Sequence, residues 1–133
     1  MSMLDGVSIP IIQAPMVGAA AVDMVVAACE AGALGTLGAA GMTADEIAAS
    51  AREIRARTAA PFALNLLITR SVPPQAEQVA EALERLRPWY ERAGAPVPDL
   101  PNRFAPDFDA QFQAVVAAAP AIASFAFDIL TRD

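Results

Sequence analysis

The hydrophobic positions of this chain fall into short apolar runs separated by longer amphipathic stretches. The short runs are bounded by turn residues and predict buried strands at residues 8–16, 34–39, 61–68 and 122–127. Glycines within the second run predict a close approach of its backbone to a helix or a ligand. The amphipathic stretches repeat at helical spacing and predict helices over residues 20–31, 43–57, 75–86 and 107–118.

Boundary signals accompany three of these helices. Thr43 and Glu46 stand three residues apart, as in a capping box, and Asp107 is a good N-cap for the last helix. Arg87 and Pro88 follow the third helix, and because Pro lacks a backbone N–H we expect a break or kink there. Residues 93–106 contain four prolines and predict a surface connection.

The order of the predicted elements indicates an α/β fold with parallel strands. Strands that alternate with helices are joined by right-handed parallel crossovers. A closed (β/α)8 barrel needs about 250 residues, whereas this chain has 133. About four parallel strands with their helices therefore fit either a small open α/β domain or the N-terminal half of a TIM-type barrel, in one partial domain over residues 1–133.

Composition limits the chemistry that the chain performs by itself. The net charge of −6 repels nucleic-acid phosphates and anionic membrane surfaces, so we expect neither as a partner. None of the 133 residues is His, which excludes an imidazole base and any Ser-His-Asp or Cys-His site built by this chain alone. All nine basic residues are Arg, which excludes a Schiff-base lysine.

The cysteine content and the absence of targeting signals predict a cytoplasmic location. Cys29 is the one cysteine and has no internal disulfide partner. No stretch has the length and apolar character of a membrane span. A signal peptide requires a basic residue before its apolar run, and none precedes the first apolar run here. Because Cys29 lies on the apolar face of a predicted helix, we expect a small core residue.

The candidate binding residues lie where the predicted strands end. In α/β folds ligands gather at the carboxyl ends of parallel strands, which here include Ala14, Pro15 and Met16. Met16 fits either a filler of core space or a soft apolar surface under a flat ring. Asn65 is the one polar residue of its run, and its amide must be satisfied either by neighbouring backbone or by a ligand. No glycine fingerprint of a dinucleotide fold is present.

These segments also resemble a known family. The run Pro-Ile-Ile-Gln-Ala-Pro-Met at residues 10–16, the Gly-rich stretch 30–39, the helix start 42–46 and the run Pro-Phe-Ala-Leu-Asn-Leu at 61–66 keep the order and spacing of the nitronate monooxygenase family. That family was formerly called 2-nitropropane dioxygenase. Residues 124–127 resemble its fourth barrel strand. The resemblance covers residues 9–68 and the Ser-Phe-Ala-Phe run.

The resemblance implies a TIM-type barrel that holds FMN at the mouth of its strands and oxidises alkyl nitronates with O₂, without a metal. By position, Ala14, Pro15 and Met16 would lie against the isoalloxazine ring, and Asn65 would bond its polar edge. In this family the catalytic His and the Gly-rich phosphate loops belong to later strands. The resemblance therefore implies that no residue of this chain is catalytic and that the chain is inactive alone.

The residues themselves leave open two alternatives to a nitronate monooxygenase. The Gln-Ala-Pro-Met element is shared with FMN-dependent enoyl-acyl-carrier-protein reductases, which indicates a flavin reductase as one alternative. The absence of His is compatible with a non-catalytic α/β assembly module as the other. A half-barrel would expose sheet edges, so we expect a homo-oligomer or a second chain that completes the barrel.

Overall fold

The computed structural model describes residues 6–69, 74–98 and 105–130. Within these ranges the elements are, in chain order, α1 (Val22–Glu30), β1 (Gly35–Gly38), α2 (Ala44–Arg57), β2 (Phe62–Leu67), α3 (Ala76–Ala93), α4 (Phe108–Ala118) and β3 (Ile122–Ala126). The strands form one parallel sheet in the order β1-β2-β3. Sequence neighbours are thus sheet neighbours, as in a TIM-type barrel, whereas a doubly wound sheet reverses its order. The predicted α/β class is confirmed.

The first predicted strand, residues 8–16, forms only an isolated parallel bridge between Ile12 and Leu34. Two backbone hydrogen bonds join it to the edge of the sheet, from Leu34 N–H to Ile11 O and from Gln13 N–H to Leu34 O, each 2.9 Å long. Pro15 has no N–H for the next bond of the ladder, and the Thr36 N–H donates to Gln13 Oε1 at 3.0 Å instead of to a backbone oxygen. On the other side the Ile11 N–H donates within its own segment, to Ile9 O at 2.7 Å, so the ladder stops on both sides. The described residues therefore contain three strands rather than four, with this segment along the outer edge of β1.

The main core lies between the sheet and three helices. Apolar side chains from one face of the sheet pack against α1, α2 and α4 in a cluster that includes Val25, Cys29, Leu37, Ile47, Ala51, Ile54, Phe62, Leu64, Leu66 and Val115. The apolar spacing of residues 20–31, 43–57 and 107–118 predicts these helical faces correctly. Cys29 is buried as expected, and burial raises the pKa of its thiol.

Residues 70–104 form a compact unit distinct from the unit that contains the sheet. The second unit holds α3, which continues through Pro88 to a left-handed cap at Gly94. Of the predicted break or kink at Arg87 and Pro88, the break is therefore wrong and the kink stays a prediction. Pro88 is exposed, and the helix loses one backbone hydrogen bond there without a clash against packed neighbours. The predicted connection at residues 93–106 lies partly outside the described residues. One domain over residues 1–133 stays a prediction.

Leu86 is 46% exposed, so its predicted inward position is wrong, while Val79 and Leu83 are half-buried. The acidic and basic side chains of α3 are exposed, as the charge pattern predicts, and Arg85 pairs with Glu81 at 2.8 Å. No helix in the described ranges combines the length and apolar character needed to cross a bilayer.

The capping box at the start of α2 is present and makes the stability of the fold depend on pH. The Thr43 N–H donates to Glu46 at 2.7 Å, and the Thr43 hydroxyl donates to the same carboxylate at 2.9 Å. These hydrogen bonds hold the pKa of Glu46 below its ordinary value, and the bond from the Thr43 backbone has the larger effect. A lowered pKa in the folded state means that the carboxylate stabilises the fold at neutral pH and stops doing so as the pH falls through that pKa.

We therefore expect Glu46→Gln to lower the free energy of unfolding at neutral pH. The loss should shrink as the pH falls, because the wild-type carboxyl becomes neutral like the amide. Urea unfolding of both proteins between pH 7 and about pH 3 measures this. A difference that stays constant over that range would contradict the contribution of the charged cap.

Candidate functional site

The parallel strands bring Pro15 and Asn65, two of the predicted binding residues, to one level of the sheet, at the end of β1 and two residues before the carboxyl ends of β2 and β3. Gly38, Asn65 and Ser124 are register partners across β1, β2 and β3. Pro15 lies beside Gly38, because a Cβ built on that glycine would stand 3.0 Å from the Pro15 carbonyl oxygen. Four adjacent segments thus meet in a row, as the topology predicts for a ligand site.

The glycines of β1 allow this close packing. A Cβ at Gly38 would also come within 3.1 Å of the Val17 backbone nitrogen, so a larger residue would push residues 15–17 away from the sheet. At Gly35 a Cβ would stand 2.8 Å from Cys29 Sγ and 3.0 Å from the Val25 carbonyl carbon. The predicted close approach to a helix is confirmed at Gly35, where the helix is α1. At Gly38 the close neighbour is the edge segment instead.

Residues 14–16 form an open shelf beside the row. Ala14 is exposed, Pro15 is half-buried and Met16 is 49% exposed, so Met16 is not a core residue. The backbone of Met16 is held in a turn: its N–H donates to Ala14 O at 3.0 Å, and its own oxygen accepts from Ala20 N–H at 2.7 Å. The backbone is thus fixed while a polarisable apolar side chain remains free to contact a ligand.

Asn65 is buried and oriented by the neighbouring strand. Its Nδ2 donates to Ser124 Oγ at 2.9 Å and to the Ser124 carbonyl oxygen at 3.2 Å, and its side chain is 6% exposed. Among the described residues no donor binds Oδ1 of Asn65. The Nδ2 group of Asn65 is therefore satisfied by Ser124, while Oδ1 can accept a hydrogen bond from a ligand N–H. This arrangement fits both alternatives for the residue, a hydrogen bond to neighbouring backbone and a contact with a ligand.

A further polar residue, Gln111, holds the loop at the same end of the sheet by hydrogen bonds. The sequence analysis did not identify it as part of the site. It is 4% exposed on α4, and its Nε2 lies 3.3, 3.0 and 2.6 Å from the carbonyl oxygens of Ala39, Ala40 and Met42. These carbonyls belong to the loop that follows β1. The signal was available, because Gln111 stands four residues before the buried Val115 on an otherwise apolar face.

The described part of the chain holds no group of three His, Cys, Asp or Glu side chains that could bind a metal ion. Its polar groups at the strand ends are amides, a hydroxyl and backbone atoms, which suit hydrogen bonds to a neutral heterocycle rather than metal coordination. The arrangement is a fixed apolar shelf beside one buried hydrogen-bonding group. Such a surface can bind and orient a flat ring but carries no acid or base of its own.

Comparison with known proteins gives matches over the whole chain. The family model described as nitronate monooxygenase matches residues 1–133. A nitronate monooxygenase from Paraburkholderia phytofirmans is 38% identical over 136 residues, which cover 98% of this chain and 36% of that protein. A nitronate monooxygenase from Pseudomonas aeruginosa is 38% identical over 97 residues, covering 71% of this chain and 27% of that protein.

A solved structure shows the same fold. The nitroalkane oxidase from Streptomyces ansochromogenes superimposes with a TM-score of 0.81 at 28% identity, covering 98% of this chain and 37% of that chain. The chain thus spans about a third of the length of the proteins that it resembles over its whole length.

Proposed function

Because this chain belongs to the nitronate monooxygenase family, a family of oxidoreductase enzymes, we propose that it is part of an FMN-dependent enzyme that oxidises alkyl nitronates with O₂. The observation that carries the proposal is the row formed by Pro15, Gly38, Asn65 and Ser124, which crosses adjacent parallel strands at the end of β1 and two residues before the carboxyl ends of β2 and β3. This is where barrels of the TIM type bind their ligands.

The residues present fit the ring of FMN. Ala14, Pro15 and Met16 offer an apolar shelf with a fixed backbone, against which a flat ring can pack. Asn65 is aligned by Ser124 and keeps Oδ1 available to accept a hydrogen bond from a ring N–H. When bound, the flavin would supply the electron transfer between nitronate and O₂. The role of this chain is to bind and orient that ring and to keep water from the apolar side.

The rest of the active site would come from residues beyond this sequence. The chain covers 36% of the Paraburkholderia phytofirmans protein, and it contains no His. The phosphate of FMN needs backbone N–H groups at a loop or helix N-terminus, and the resemblance puts those loops on later strands. We therefore propose that the 133 residues alone are inactive and that a second chain, another copy or a longer polypeptide completes the barrel.

The first test is flavin retention by the purified 133-residue chain. It should be colourless and bind FMN weakly, because ring contacts alone lack the phosphate contacts. The matched control is the same chain joined to the C-terminal two thirds of the Paraburkholderia phytofirmans protein, which should be yellow and consume nitronate and O₂. Absorbance near the flavin bands and oxygen uptake measure both. A colourless and inactive joined protein that is folded by circular dichroism would contradict the proposed function.

Location and partners belong to the same proposal. The buried, unpaired Cys29 is compatible with a reducing cytoplasm. The proposed small-molecule partners are a nitronate and O₂, and the acidic composition argues against nucleic acid and against anionic membrane surfaces.

A further inference from the structure

The side chain of Gln13 makes a hydrogen bond that backbone makes in a regular sheet. The edge segment pairs with β1 through two backbone bonds, and the second runs from the Gln13 N–H to Leu34 O. In a parallel ladder the next bond would run from the Thr36 N–H to the backbone oxygen of Gln13. That N–H donates instead to Gln13 Oε1, at 3.0 Å. The side-chain amide thus replaces the carbonyl group of its own residue.

The amide of Gln13 is bonded at both ends, which fixes its orientation. Oε1 accepts from the Thr36 N–H, and Nε2 donates to the carbonyl oxygen of Ala14. Turning the amide over would set donor against donor and acceptor against acceptor. Thr36 is 2% exposed, so its N–H is shielded from water and needs a partner within the protein. Gln13 therefore satisfies a buried donor while it holds the first residue of the shelf.

The edge segment leaves the plane of the sheet directly after Gln13. A Cβ on Gly38 would stand 3.0 Å from the Pro15 carbonyl oxygen and 3.1 Å from the Val17 nitrogen, so the chain crosses one face of the sheet at that point. Gly38 and Asn65 are register partners, and the side-chain directions of register partners share a face. The Pro15 carbonyl and the Asn65 side chain therefore lie on the same face.

An edge segment bonded through its backbone alone would follow a different path. If the Gln13 carbonyl accepted from the Thr36 N–H, residue 13 would stay in the ladder and the chain would continue along the outer edge of β1. The shelf would then move toward that edge, away from the face that carries Asn65. With its side chain as the acceptor, Gln13 lets the backbone turn while the buried N–H stays bonded.

We propose that Gln13 is a positioning residue of the candidate site, which directs the shelf at residues 14–16 across the face of the sheet that carries Asn65. The inference rests on the proposed function, because the shelf and Asn65 matter together only if they contact one bound ring. A flat ring that packs on the shelf can reach Asn65 Oδ1 only when the shelf and the amide keep a fixed separation. Gln13 acts through the backbone that it holds and needs no contact with the ring.

The path of the edge segment is testable in the 133-residue chain without flavin. Gln13→Met keeps an unbranched side chain of similar length and removes the amide, and Gln113→Met is the matched control at an exposed position of α4. A nuclear Overhauser effect should join an Hα proton of Gly38 to the Val17 N–H in the wild-type chain. We expect Gln13→Met to abolish this signal in a chain that remains folded by circular dichroism, and the control to keep it.

The joined enzyme described above tests the effect on the flavin. Gln13→Met should weaken FMN binding about tenfold, the order of one hydrogen bond, and Gln113→Met should leave it unchanged. Gln13→Glu keeps an acceptor for the Thr36 N–H, so it should keep the Gly38–Val17 signal and bind FMN more tightly than Gln13→Met. Fluorescence titration of the apoenzyme gives the affinity, and thermal unfolding gives the fraction of protein that is folded.

The two measurements separate this proposal from the proposed function. A Gly38–Val17 signal that survives Gln13→Met would overturn the positioning role, as would equal FMN affinities for the wild-type enzyme and Gln13→Met. If neither Gln13→Met nor Gln13→Glu folds, Gln13 is required for folding and the positioning role is overturned as well. A wild-type joined protein that folds but binds no FMN would contradict the proposed function, and the signal in the flavin-free chain would still decide whether Gln13 directs the shelf.

Discussion

Replacing Gly35 with alanine is expected to lower the free energy of unfolding by about 3 kcal/mol, at the upper end of the usual cost of overpacking a core. The added Cβ would stand 2.8 Å from Cys29 Sγ and 3.0 Å from the Val25 carbonyl carbon. Both atoms belong to α1, and Val25 and Cys29 are part of the core, so a shift of α1 away from β1 would cost packing there. A loss of this size is a large share of the stability of a small domain.

Urea unfolding of the 133-residue chain measures this effect. Gly41→Ala is the matched control, because its Cβ would meet only Val17 Cγ1, at 3.4 Å, which is an ordinary contact. It should change the free energy of unfolding by less than about 0.5 kcal/mol. Equal stabilities for the two variants would contradict the close approach of β1 to α1.

Asn65→Leu is expected to weaken FMN binding by about 1–3 kcal/mol in the joined enzyme described above, which corresponds to roughly 5–150-fold in affinity. Leucine keeps the approximate volume but removes both the donor to Ser124 and the free acceptor Oδ1. The ring N–H would then face an apolar side chain in a buried place. Flavin dissociation followed by fluorescence gives the affinity, and thermal unfolding of the apoenzyme gives the stability.

Ser124→Ala separates the two roles of Asn65. It removes the hydroxyl that accepts from Nδ2 at 2.9 Å but leaves the amide and its second contact, the Ser124 carbonyl oxygen at 3.2 Å. If Asn65 binds the flavin, Asn65→Leu should reduce affinity much more than Ser124→Ala does. If it only satisfies neighbouring backbone, Asn65→Leu should destabilise the apoenzyme while the folded protein retains its affinity, and Asn65 would then leave the proposed site.

Local signals were sufficient to predict most of the sheet unit from the sequence. The capping residues Thr43 and Asp107 start α2 and α4 as expected, and the apolar runs at residues 61–68 and 122–127 become β2 and β3 with trimmed ends. These features depend on neighbours within a few residues. The parallel order followed from the alternation of element types, which constrains how the chain can cross over.

The errors concern features that depend on distant partners. The run at residues 8–16 has strand composition, but it forms one bridge with Leu34, because the Thr36 N–H bonds the Gln13 side chain and the Ile11 N–H bonds Ile9 O. Periodicity identified an apolar face on α3 but not whether this chain or another covers it. Gln111 is a polar residue on an apolar helix face, which marks it as unusual, but its three carbonyl partners lie about 70 residues earlier and no local pattern identifies them.

The contact of Gln111 has a consequence for the order in which the protein acquires its shape. The loop after β1 is complete once Met42 has been synthesised, but the amide that gathers its carbonyls is added 69 residues later. Pairing over so many residues is slow, since a long loop must close before the contact forms. During synthesis on a ribosome, the loop at residues 39–42 would therefore be one of the last parts of this unit to become rigid, well after β1, which precedes it.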